Sequence, residues 1–217
     1  MNSTYTISAA MIGLDWDVVD LVDSLPEIKL MGIIDPLPPT TPSPPYLGND
    51  GDWNAIAEAN PHLKAILSVD HPKMRAKLFF DFYGEAALTI QSPNAYVSSR
   101  AFIDQGCIVQ RGVTIMPHVQ IGKGCKININ ATVHHEAKIG SFVTLAPGCQ
   151  ILGKVAIENQ VYIGAGAIIK QKCSIGAGSI VGAGAVVVKN IPPNTTVVGV
   201  PAKPMKSTSL TSSFCSQ

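Results

Sequence analysis

The chain has 217 residues, with 16 Lys and Arg against 15 Asp and Glu, so its formal net charge is +1. That balance gives no general attraction to nucleic acid or to an anionic membrane. Charged residues make up 14% and hydrophobic ones 46%, which excludes disorder, collagen, a coiled coil and a disulfide-dense scaffold, and suggests that subunit contacts cover part of a thinly charged surface.

The first part of the chain alternates strand and helix signals. Residues 6–12 read as a strand, 17–22 as a helix stopped by Pro26, and 29–34 as a second strand ending at Asp35-Pro36. Residues 38–52, rich in Pro, Thr and Gly, read as a loop. A short helix follows at 53–59, a third strand at 65–69, and a helix at 71–83 started by Pro72. This order predicts a small parallel α/β domain over 1–90. The N-terminus lacks a basic region followed by an apolar run, so no signal peptide is expected. No apolar stretch nears the roughly 18 residues of a membrane span. The five cysteines, Cys107, Cys125, Cys149, Cys173 and Cys215, form no CxxC. Reduced thiols in the cytoplasm are expected.

From Val97 a six-residue clock takes over. Ile103, Val109, Ile115 and every sixth residue to Val187 are Val, Ile or Leu, with no insertion. Two residues before each stands a small or β-branched one, such as Ala95, Cys107, Val113 or Ala131. Neither a helical nor a simple strand period explains this. Short strands that turn a corner every six residues do, and that is a β-helix. Three hexapeptides per turn make coils of eighteen residues, about five of them, over a domain at 91–205. Residues eighteen apart, such as Cys107 and Cys125, then lie above one another, and the four repeat cysteines read as buried small hydrophobes. Residues 206–217, Ser/Thr-rich, read as a flexible tail with Cys215 exposed.

Two stretches are more specific. One is Asn130-Ala131-Thr132-Val133-His134-His135-Glu136-Ala137-Lys138-Ile139-Gly140; the other is Val198-Gly199-Val200-Pro201-Ala202-Lys203-Pro204-Met205. Through them the chain resembles the left-handed β-helix acyltransferases that use acetyl-CoA. With the α/β domain in front, residues 5–205 resemble the sialic acid O-acetyltransferase group, which includes N-acetyltransferases of nucleotide-linked 4-amino sugars. The resemblance implies the left hand of the helix, a homotrimer with active sites between subunits, acetyl-CoA as co-substrate and no metal.

N-acetylation needs a base for the amine proton and a donor for the oxyanion. Histidine suits the first task, with an unperturbed pKa of about 6.5. The family's His-Glu pair matches His135 as base and Glu136 as its support, with His134 as the competing base. His118 lies eighteen residues before Glu136 and is expected one coil away, as a contact of the acid, a lining of the cleft or a plain surface histidine. A three-histidine zinc site wants two His about five apart, which adjacent His134 and His135 do not supply. For CoA the resemblance points to Thr144, Ala165 and Ala183, with Gly153, Gly164 and Gly166 nearby, and to Lys189 and Lys203 as phosphate contacts. For the nucleotide it points to Asp35 and Ser68 at strand ends and to the turn holding Gly13 and Leu14. Of the family's Gly-rich turn only Gly13 survives, and Leu14 stands where a His would be. The acceptor amine is then presented differently, for example on a substituent of the sugar. The expected activity is acetyl transfer to an amine of a nucleotide-linked amino sugar. The alternatives are sugar O-acetylation and a non-catalytic trimeric scaffold.

Overall fold

The computed structural model of the protein describes residues 7–40 and 44–205. The expectations for Thr6, Cys215 and the tail after Met205 lie outside the described residues.

Four parallel strands open the chain: β1 (Ile7–Ile12), β2 (Ile28–Ile34), β3 (Tyr46–Gly48) and β4 (Lys64–Leu67), in the order β3-β2-β1-β4. Strands covered on both faces read as near-continuous apolar runs, as Ala9 to Ile12 and Ala65 to Leu67 do. Helix α1 (Trp16–Asp23) starts where the Asp15 side chain accepts the N–H groups of Asp17 and Val18 at 2.9 and 3.3 Å. It buries Val18, Val19, Leu21 and Val22. Helix α2 (Trp53–Ala59) and helix α3 (Pro72–Leu78) follow.

Two expectations need correction here. The 38–52 stretch is not all loop, because β3 lies inside it. As an edge strand it pairs on one side only, and just before it the Pro45 carbonyl accepts Ile33 N–H at 2.8 Å. The helix expected over 71–83 ends at Leu78 and continues as a wider π turn, Phe79–Tyr83. That turn sends Phe79 against Phe142, ring centroids 5.3 Å apart, and lets the Tyr83 hydroxyl donate to Asp50 at 2.7 Å.

From Ile90 onward the chain winds a triangular prism. The first wall runs from Ile90–Gln91 through Lys126–Ile127 and Thr144–Leu145 to Thr196–Val198. The second wall includes Tyr96–Val97, Thr132–Val133 and Gln150–Ile151; the third includes Phe102–Ile103, Lys138–Ile139 and Ala156–Ile157. Successive strands pair eighteen residues apart, as Thr132 with Gln150 and Lys138 with Ala156, until the last step of the first wall, where Ile180 pairs with Thr196. Both repeat positions point inward. Ile115, Val133, Ile151 and Ile169 fill the interior, and Cys107, Ala131, Cys149 and Ala167 stand beside them, all fully buried. Burial pushes the Cys149 thiol up to about 12, so it stays a protonated, inert hydrophobe.

The two regions are joined by buried polar groups. Arg75, from α3, is fully enclosed and donates to Gly124 O at 2.6 Å, Val69 O at 2.7 Å, Asp70 O at 3.0 Å, Val143 O at 3.1 Å and Thr144 Oγ1 at 3.0 Å. Lys126, from the first wall and 3% exposed, reaches Asp15 at 2.6 Å, Ser68 O at 2.9 Å and Asp70 at 3.4 Å. These contacts fix the strand ends of the α/β domain on the prism.

Candidate active site

The edge between the second and third walls carries the imidazole and carboxylate groups. Its corner residues, eighteen apart, are His118, Glu136, Lys154 and Lys172, all exposed and all in the left-handed region at φ 62°, 59°, 61° and 63°. His135 precedes Glu136, and its Nδ1 lies 3.0 Å from Glu136 Oε2. A proton on Nδ1 donated to the carboxylate leaves the lone pair on Nε2. Lys154 Nζ lies 3.4 Å from the other oxygen, Glu136 Oε1. The hydrogen bond from His135, with the Lys154 cation adding to it, holds the Glu136 carboxyl below the usual carboxylate range.

Gly153 lies one coil below His135, under its ring. A Cβ on Gly153 would stand 2.7 Å from His135 Nε2 and 2.8 Å from Cε1. The absent side chain is therefore the seat of the imidazole. His134, half-buried, lines the same open depression of about 410 Å³ as His135, Gly153 and Lys172. His118 makes no contact with Glu136, whose partners are His135 and Lys154.

The edge between the first and second walls carries Gly164, Ala165, Gly166 and Ala183. Gly148, Gly166 and Gly184 form an eighteen-residue column there at φ +67°, +65° and +65°, with open space where each Cβ would be. Exposed backbone of this kind admits a ligand close to main-chain groups. Gly164 is different: a Cβ there would lie 2.6 Å from Ala183 N, so it serves the stacking of coils.

At the ends of β1, β2 and β4, Gly13 turns the chain at φ +80°. Leu14 N–H donates to Asp35 Oδ2 at 3.1 Å, and the half-buried Asp35 keeps its other carboxylate oxygen.

Residues 118–153 and 154–189 match the family model of the bacterial transferase hexapeptide (six repeats). No curated protein sequence matches the chain. Among solved structures, PerB from Caulobacter crescentus, in complex with CoA and GDP-perosamine, superposes with a TM-score of 0.84 at 27% identity, covering 92% of this chain and 97% of that one. WeeI from Acinetobacter baumannii gives 0.81 at 29%, covering 92% and 100%. The acetyltransferase domain of PglB from Neisseria gonorrhoeae, in complex with acetyl coenzyme A, gives 0.82 at 27%, covering 91% and 98%. The chain is a left-handed β-helix acyltransferase.

In this acyltransferase the expected site residues fall into three groups. His134, His135 and Gly153 come together on one edge with Glu136, and Ala165, Gly166 and Ala183 line the next edge. Gly13, Leu14 and Asp35 gather at the strand ends. Three residues are engaged otherwise than expected. Thr144 is fully buried, and its hydroxyl accepts from Arg75 and donates to Asp70 O at 2.7 Å, so its side chain is engaged within the fold. Ser68 is 2% exposed, and its hydroxyl is bonded to the carbonyls of Ile12, at 2.8 Å, and Gly13, so its side chain too is engaged within the fold. Gly153 belongs beneath the imidazole rather than with the glycine column. Lys189 lies in a second depression with Lys170 and Lys172, and Lys203 is exposed on the last strand, Lys203–Pro204. Lys154, Gly148 and Gly184 were not singled out from the sequence, although adding eighteen to Glu136, or stepping eighteen either way from Gly166, finds them. Among the described residues no His, Cys, Asp and Glu side chains group as metal ligands would, and no helix is long and apolar enough to cross a membrane.

Proposed function

We propose that this acyltransferase moves the acetyl group of acetyl-CoA to an amine of a nucleotide-linked amino sugar, in a cytoplasmic homotrimer whose sites lie between subunits. The observation that carries the reading is the His135–Glu136 contact of 3.0 Å, on a fold shared across 92% of the chain with a protein that holds CoA and GDP-perosamine. His135 Nε2 takes the proton as the amine attacks the thioester carbonyl. The carbon–sulfur bond then breaks, and the imidazolium returns the proton to the CoA thiolate, leaving an acetamido sugar and free CoA. No acyl-enzyme forms. Gly153 N–H, beside the imidazole, is the donor we assign to the oxyanion.

The exposed main chain at Gly148, Gly166 and Gly184 suits the pantetheine arm, and Lys172 and Lys189 suit its phosphates. Asp35 can accept from a base or ribose, which gives residues 1–90 the nucleotide and residues 91–205 the acyl chemistry. The base-bearing edge and the glycine edge are separate corners of one prism. Two adjoining copies supply one of each, which is the argument for shared sites. The product then serves a surface polysaccharide or a glycoprotein glycan.

A thiol-release assay with acetyl-CoA and a panel of UDP-, dTDP- and GDP-amino sugars tests the reading. Release with one acceptor that is lost in His135→Ala supports it. A product that mild alkali cleaves is an ester and replaces it with O-acetylation. Absence of CoA binding sinks both.

A further inference from the structure

A buried cation of the prism sits against the strand ends of the α/β domain. Lys126 stands on the outward side of the first wall, in register with Ile108 and Thr144, and all three are buried. An ammonium without partners would be costly there, and this one has three. Its Nζ donates to Asp15 Oδ2 at 2.6 Å and to Ser68 O at 2.9 Å, and Asp70 Oδ1 lies 3.4 Å away. The two carboxylates are not buried with it, since the side chains of Asp15 and Asp70 are 25% and 50% exposed. Asp15 divides its oxygens between two tasks. Oδ1 caps helix α1, and Oδ2 meets the cation. Arg75 lies near enough to Asp70 to feel its charge, but its hydrogen bond to that residue goes to the main-chain carbonyl.

The sheet order puts this cluster on the path of a nucleotide-linked substrate. The strands run β3-β2-β1-β4. Asp35 follows β2, Asp15 follows β1 and Asp70 follows β4. Lys126 shows that the prism lies against the ends of β1 and β4. A nucleoside held at Asp35 therefore carries its diphosphate past β1 and β4 on the way to the acyl chemistry of the prism. That path crosses two exposed carboxylates, which repel phosphate unless a cation offsets them. We propose that Lys126 is a positioning residue for the diphosphate of the acceptor. It offsets the charge of Asp15 and Asp70, and it holds the turn from Gly13 to Asp15 against the prism. At 3% exposed it acts through those carboxylates rather than by touching phosphate. The proposal rests on the reading above, which places the nucleotide at Asp35.

The test is calorimetric titration of the full-length protein with UDP, dTDP and GDP as probes. Lys126→Met leaves the carboxylates unopposed and should weaken binding of the preferred diphosphate about tenfold or more. Asp15→Asn keeps a helix cap, because Asn caps as well as Asp, and removes one negative charge, so it should tighten binding about threefold. The double variant should return to within about threefold of the wild type, and added salt should shrink both single changes. Both single variants break the same ion pair, so a strut without an electrostatic role predicts weaker binding in each. Weaker binding in both, or no change in either, overturns the proposal and leaves the acetyltransferase reading intact. Should Lys126→Met fail to fold, the direction of the Asp15→Asn change decides alone. A wild-type protein that binds none of the three probes overturns the nucleotide reading, and the proposal falls with it.

Discussion

The prism and the α/β domain solve the same problem of burial in different ways. In the prism a residue's neighbour in the next coil lies eighteen positions away until the last turn, and the interior is a stack of near-identical layers. In the α/β domain the layers differ, and closure depends on single polar anchors such as Arg75 and Lys126. A periodic region tolerates many small faults, because each coil touches only its neighbours. A region held by individual anchors does not. The candidate groups follow the same division: His135, proposed as the base, lies on the periodic part, and Asp35, proposed for the nucleotide, lies on the irregular part.

Substitutions can break or sharpen that contrast. The largest effect should come from His135→Ala, which lowers thiol release by about 10²–10⁴-fold without changing Tm, because the ring is exposed and adds little to the stack. Arg75→Met removes five hydrogen bonds, three of them to buried acceptors at Gly124, Val143 and Thr144, and should lower stability by about 3–5 kcal/mol. Calorimetry should then show the single transition dividing into two as the α/β domain loosens. Ile151→Ala, inside the prism, should cost about 2–5 kcal/mol by urea titration while the transition stays single. Gly153→Ala should leave Tm and the KM for acetyl-CoA close to wild type but lower kcat about tenfold or more, since its Cβ displaces the imidazole.

The smallest effect is a titration. The Glu136 carboxyl sits below its ordinary range, first because His135 donates to it and then because Lys154 is near. A depressed carboxyl contributes above its unfolded pKa, about 4.3, and the contribution is lost as pH falls through the lower folded value. NMR of the Glu136 carboxyl should give a midpoint below about 4.3. His135→Ala should move it upward, and Lys154→Met should move it upward by less. A midpoint that ignores both variants would dissolve the contact on which the base depends.

The prism was legible because its signal is local and repeated: one inward aliphatic every six residues admits few other folds. The contact of His135 with Glu136 was legible because the two residues are adjacent in the chain. The fates of Thr144 and Ser68 were not legible. Both depend on how the α/β domain docks, and no spacing within either region reveals that the Arg75 guanidinium ends beside Thr144 or that Ser68 turns back on Ile12. The edge strand Tyr46–Gly48 hid among prolines, since strand signals fade where only one side of the ladder is needed. Lys126 gave no signal because a lysine in a repeat looks like solvent-facing filler until its burial is known.

The eighteen-residue coil has a geometric consequence for evolution and for engineering. Each coil is a nearly pure translation of the one before, with strands about 4.8 Å apart. Inserting or deleting one whole coil would therefore leave every edge residue on its own edge. It would change only the height between the acceptor's end of the molecule and the donor's. The prism is thus a ruler graduated in single strand spacings, on which the span available to a donor molecule can be reset without redesigning a corner.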